Sequence, residues 1–193
     1  MIKRERFYML QVTFWELLSF ITICWIITRF IIAKIKGKVD FKRELKLLLV
    51  YGCIVVISRF VYFPMALQDG HLAPMVLDPQ WRYHCRYNLK PFLFLKQIYP
   101  GYKMNVYGNI AMFVPVGIVW PFCFKKLNNV FKVTLAGFFY TFCIELSQVP
   151  FYRRSSDIDD IILNTTGVLI GAIIYFVVKA IRDRLFKGKK NDC

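Results

Sequence analysis

The sequence predicts an all-α, polytopic integral membrane bundle. It has about five transmembrane helices and a long 2–3 loop carrying an interfacial or re-entrant segment. Three observations predict it. Of 193 residues, 57% are hydrophobic and only 20% charged, too few charges to cover a soluble core of this size. Apolar runs approach the roughly 20 residues needed to cross about 30 Å of hydrocarbon. Basic residues cluster beside these runs, as topology signals do. With no internal repeat or low-complexity segment, residues 1–193 read as a single membrane domain.

The first span is expected over Phe7–Ile32. Its "MIKRER" leader imitates a signal peptide. The run is too long, contains Glu16 and lacks a small-residue cleavage site, so it reads as a retained span. Arg29 is expected to snorkel to the inner surface, and Glu16 has no partner in the pattern. The second span, Leu45–Leu67, follows the basic stretch "KIKGKVDFKRELK". The 2–3 loop, Gln68 to Lys103, contains "PFLFL", apolar but too short to span. Trp81, Tyr83, Tyr87, Tyr99 and Tyr102 suit a headgroup belt there. The remaining spans are expected at Met104–Phe124, Val130–Val149 and Ile161–Ile181.

A net charge of +15 raises nucleic acid as a partner. The cations sit beside spans rather than on an aromatic-basic platform, so anionic lipid is the better reading and nucleic acid is not expected. Cys24, Cys53, Cys123 and Cys143 fall inside spans, where cysteine acts as a small apolar residue. No Cys-x-x-Cys occurs, and "HCR" at 84–86 gives one His beside one Cys; no metal site is expected. Fifteen Lys and Arg fall on the side of loop 1, the 3–4 loop and the C-terminal tail, against ten on the other. That bias places the C-terminus in the cytoplasm and the N-terminus outside, although the basic N-terminal hexapeptide votes the other way.

Span parity carries a further inference. Odd spans begin and even spans end on one membrane face, and the polar residues gather there. Arg59 lies near the end of span 2, Asn105 and Asn109 open span 3, and Glu145 and Gln148 close span 4. Asp157, Asp160 and Asn164 open span 5, continuing through Gly167 and Gly171 as one helical stripe. Asp157 suits an N-cap, with Asp160 in the first turn, and the two Gly allow close helix approach. In span 3, Asn109, Phe113 and Gly117 share a face, and Pro115 frees the carbonyl of Ala111, which suits a kink near a cavity. A charge at mid-span costs about 2.5–3.5 kcal/mol on insertion scales, so these groups should face inward and pair. Arg59, Arg86, Arg153 and Arg154 are the available cations. Taken singly, each residue also fits a cap, a packing contact or a loop lock.

Four blocks now stand in order: "RYNLKPF" (86–92), "NVYGNIAMFVPVG" (105–117), "ELSQ" (145–148) and "RSSDIDDIILNTTGVLIG" (154–171). Their order and spacing resemble the VanZ-like family over about residues 86–175, with spans 1 and 2 outside its specific motifs. The resemblance implies a bacterial integral membrane protein contributing to tolerance of lipoglycopeptides such as teicoplanin. The matching positions are Arg86, Pro91, Phe92, Asn109, Pro115, Gly117, Glu145, Gln148, Asp157, Asp160, Asn164, Gly167 and Gly171. Thr166 stands where the family often has a small apolar residue or Gly.

The first functional expectation is a non-enzymatic envelope protein. Its outward polar pocket, built from Arg59, Arg86, Asn105, Asn109, Glu145, Gln148, Arg154, Asp157, Asp160 and Asn164, would bind a head group or change surface access. Pro91, Phe92, Pro115, Gly117, Gly167 and Gly171 would serve structure. The expected partners are membrane lipids, including an anionic lipid or a cell-wall precursor. An enzyme acting on a lipid-linked substrate through Glu145, Asp157 and Asp160, with or without a divalent cation, is the alternative. No His and no activated nucleophile accompany those carboxylates, and no cofactor is expected. A small transporter or scramblase is the second alternative, supported only by Pro115.

Overall fold

The computed structural model describes residues 10–63, 67–68, 71–78, 87–93, 102–151 and 156–191. In order they form β1 (Gln11–Val12), α1 (Phe14–Lys36), α2 (Phe41–Tyr62), β2 (Leu67–Gln68), β3 (His71–Leu72) and β4 (Met75–Val76). Then come β5 (Tyr87–Asn88), α3 (Tyr102–Cys123), α4 (Val130–Gln148), β6 (Ser156–Asp157) and α5 (Ile158–Asn191). Among the described residues five helices are long and apolar enough to cross a membrane, the fifth over Ile158–Leu185.

Cap chemistry sets the helix ends. Thr13 and Glu16 form a reciprocal capping box: the Glu16 carboxylate accepts from the Thr13 backbone N–H at 2.8 Å, and Thr13 Oγ1 accepts from the Glu16 N–H at 3.3 Å. This corrects the expected start at Phe7, and gives Glu16 its partner. Just before the cap, β1 pairs antiparallel with β4. Gly37 ends α1 in the left-handed region at φ 65°, where a Cβ would be strained. Three residues later Asp40 caps α2, accepting from the Arg43 N–H at 3.2 Å. This tight hairpin lays α1 beside α2, so Arg29 meets Glu44 through two hydrogen bonds, one at 2.7 Å from Nε to Oε2. Arg29, expected to snorkel to the inner surface, is held by a carboxylate in the first turn of the adjacent helix.

The last helix is longer than expected. Its 34 residues make a rod of about 50 Å at 1.5 Å per residue, well beyond the hydrocarbon core. It starts directly after β6, three residues before the expected Ile161. α3 runs unbroken through Pro115 and Pro121; Pro115 is exposed, on the side away from α5. The described parts of the 2–3 loop are strand pairings. β2 and β3 form an antiparallel pair, and β5 lies parallel to β6. Pro91 and Phe92 form an exposed turn with Leu93 half-buried beside it, and Phe94 and Leu95 of "PFLFL" lie outside the described residues.

Side by side, the helices run α1, α2, α3, α5, α4, with α3 also touching α4. The core is built from Ile57, Phe113, Val116, Val133, Ile144, Val168 and Ala172. In lipid no hydrophobic effect drives helices together, so close packing must. Gly167 of α5 lies against the carbonyl of Ile110, Gly171 against the carbonyl of Val114, and Gly117 of α3 against the carbonyl of Val168. A Cβ on Gly117 would stand 2.7 Å from the Ala172 nitrogen. The expected helix approach is thus between α3 and α5. By contrast, α1 has no buried residue.

Candidate functional site

The start of α5 is a hub of carboxylates, each holding a different segment. Asp157 caps the helix, its Oδ1 accepting from the Asp159 N–H at 2.9 Å. Both its oxygens also accept from Asn88 Nδ2, at 3.1 and 3.0 Å, which fixes β5 beside β6. Asp159, 5% exposed, accepts from the Phe92 N–H at 2.6 Å. Phe92 lies at φ 63°, a left-handed conformation that costs an L-residue energy and persists only when its surroundings enforce it. Asp160 accepts from Asn109 Nδ2 on α3 at 2.7 Å. From α4, Glu145 accepts the Asp157 N–H at 3.0 Å. Charged acceptors make these bonds stronger than neutral ones.

A polar column continues below the hub. Asn164 lies one turn past Asp160, and Thr141 one turn before Glu145. The two meet at 2.8 Å, Asn164 Nδ2 donating to Thr141 Oγ1. Asn164 lies six residues beyond the start of α5, about 9 Å into the span. Glu145 and Asn164 are each only 2% exposed, and Thr141 is fully buried. The buried Oδ1 of Asn164 has no hydrogen-bond partner among the described residues. Such a group carries a desolvation cost of about 1–3 kcal/mol unless something donates to it.

The structure brings Asn109, Glu145, Asp157, Asp160 and Asn164 together at one end of the bundle, with Gln148 buried at the end of α4. Asn105 stands exposed, one turn nearer the start of α3. Arg59 donates to the Phe63 carbonyl at 3.3 Å and lies over the Phe60 ring. Ion pairs seen among the described residues are Arg29–Glu44 and Arg182–Asp183. Arg59 lies one turn before the end of α2, within reach of the carbonyl at Phe63. Arg86, Arg153 and Arg154 lie outside the described residues.

Three site residues escaped the sequence reading. Asn88 sat inside the quoted "RYNLKPF" block, but nothing in a loop names its distant partner. Asp159 fell off the stripe that selected Asp157 and Asp160. Thr141 had a usable signal, standing four residues before Glu145 on the same helix face. No three His, Cys, Asp or Glu side chains among the described residues are grouped to hold a metal ion.

Five apolar helices closing over a buried polar column define a multi-pass α-helical membrane protein. The VanZ/LLP1 family model matches residues 45–179, well over half of the chain. The chain therefore belongs to the VanZ/LLP1 family. The match takes in nearly all of α2, further towards the N-terminus than the quoted motifs, and leaves α1 outside. No curated protein and no solved structure matches the chain.

Proposed function

We propose that this VanZ-family protein acts at the bacterial cell envelope, binding the head group of a lipid or cell-wall precursor in the polar column of α3, α4 and α5. By binding it, the protein lowers access of teicoplanin-type lipoglycopeptides to the cell surface. The observation that carries this reading is the buried Asn164 carbonyl oxygen, which has no donor among the described residues and lies beneath a cluster of carboxylates. Packing alone does not account for an unmet acceptor at that depth. Hydroxyl or amino groups of a head group are donors of the required kind. Arg86 and Arg154 adjoin β5 and β6 in sequence, and are the cations we assign to its phosphate. The Lys and Arg bias puts this end of the bundle outside the cell.

The test uses cells in which the gene is deleted and replaced by wild type, Asn164→Leu or Glu145→Gln. The variants and the deletion should bind more fluorescent teicoplanin and become more susceptible to it. A deletion with unchanged binding and susceptibility would sink the proposal.

A further inference from the structure

At the end of the bundle opposite the carboxylate hub lies a cavity of about 730 Å³, between the start of α2 and the turn joining α3 to α4. Its size is within the range of small-molecule sites, about 300–1,000 Å³. Lys42, Arg43 and Lys46 come from α2, and Lys125 and Lys126 from the turn; Asp40 is the single carboxylate in the lining. Asp40 is engaged as the α2 cap. Among the described residues none of these five cations is in a close ion pair, the pairs there being Arg29–Glu44 and Arg182–Asp183, and one lining carboxylate, Asp40, stands against the five. The two walls are tied together. Cys123 Sγ donates to the Lys46 carbonyl at 3.3 Å, and the Lys46 ammonium lies 5.1 Å from the centre of the Phe122 ring. Phe122 is 47% exposed and supplies an apolar wall beside the cations.

We infer that this cavity is a binding site for the phosphate head group of an anionic phospholipid. Five cations against one carboxylate, converging from two segments, repel one another unless a further anion sits among them. A phosphodiester supplies that charge, and both strands of the wall can donate to its oxygens. The half-exposed Phe122 ring and the cavity's place at the end of the apolar helices favour a lipid over a soluble phosphate, because a lipid presents its glycerol and first methylenes at that level. The site shares no residue with the carboxylate hub, so it goes beyond the proposed function and stands or falls separately.

The test is thermal unfolding of the purified full chain in a zwitterionic detergent. Dihexanoyl phosphatidylglycerol, dihexanoyl phosphatidylcholine or glycerol phosphate is titrated in, since a ligand of the folded state raises Tm with its concentration. Phosphatidylglycerol should raise Tm, and the other two should not. Lys125→Gln with Lys126→Gln, both in an exposed turn, should weaken that effect roughly thirtyfold, at about one Lys-sized increment each. Arg182→Gln with Arg184→Gln, basic residues of α5 outside the cavity, should leave it intact. An undiminished response in the turn variant would overturn the site, as would equal loss in the α5 variant. Equal stabilisation by glycerol phosphate would overturn the lipid assignment.

Discussion

Asn109 of α3 donates its side-chain N–H to Asp160 of α5 at 2.7 Å, two helical turns from the point where Gly167 presses against the Ile110 carbonyl. The polar site and the tightest helix contact therefore belong to one interface. Whatever shifts α3 against α5 also shifts the carboxylate hub.

Removing either partner of this bond should show the coupling. In a double-mutant cycle of Asn109→Ala and Asp160→Ala, unfolding in detergent should give an interaction energy of about 0.5–3 kcal/mol. Strict additivity would mean that the bond does nothing for stability.

The glycines divide into two groups. Gly171→Ala and Gly167→Ala thrust a methyl at backbone carbonyls that cannot rotate away, and should cost about 1–3 kcal/mol or more. Gly52→Ala and Gly108→Ala meet nothing within 4 Å and should be neutral or stabilising by about 0.5–1 kcal/mol. Tm values of the four variants check the contrast.

Phe92 is half exposed and sits at φ 63°, while its N–H is held by Asp159. Phe92→Gly should remove backbone strain and raise stability, or at worst leave it level, whereas Phe92→Val should lower it by about 1–2 kcal/mol. If Val were tolerated as well as Gly, the strained backbone would not be a constraint.

Arg29 and Glu44 are partly buried, their side chains 18% and 30% exposed. Arg29→Glu alone should destabilise the α1–α2 hairpin by about 1–2 kcal/mol, between the values for surface and buried pairs. The swap Arg29→Glu with Glu44→Arg should recover most of it. Failure of the swap would point to a role for Arg29 other than pairing.

The five spans were legible because hydropathy is a local property of each segment, and the expected α4 range differs from the helix by one residue. The convergence of Asn109, Glu145 and Asp160 was legible from span parity alone. Helix starts were less so. Thr13 and Glu16 carry a readable capping box, yet the surrounding apolar run concealed it. Two-residue strands have no period to detect, so the pairing of Tyr87–Asn88 with Ser156–Asp157 left no trace in the sequence. Spacing put Gly167 and Gly171 on one face but could not say whose carbonyls they would meet. Arg29 and Glu44 are fifteen residues apart, and only the tight turn at Gly37 makes them neighbours.

No side chain of α1 is fully buried; its attachment rests on half-buried contacts, Phe14 on the Phe63 ring and Trp25 on the Tyr51 ring, and on a few polar ties, Arg29 to Glu44, Thr22 to Tyr51 and the β1–β4 strand pair. The family match begins only after it. Evolution can therefore rewrite the lipid-facing surface of this helix, or exchange it for another anchor, without repacking the four-helix remainder. Sequence divergence among relatives should be greatest there, and a chain starting at Val39 should still insert and assemble the hub at α5.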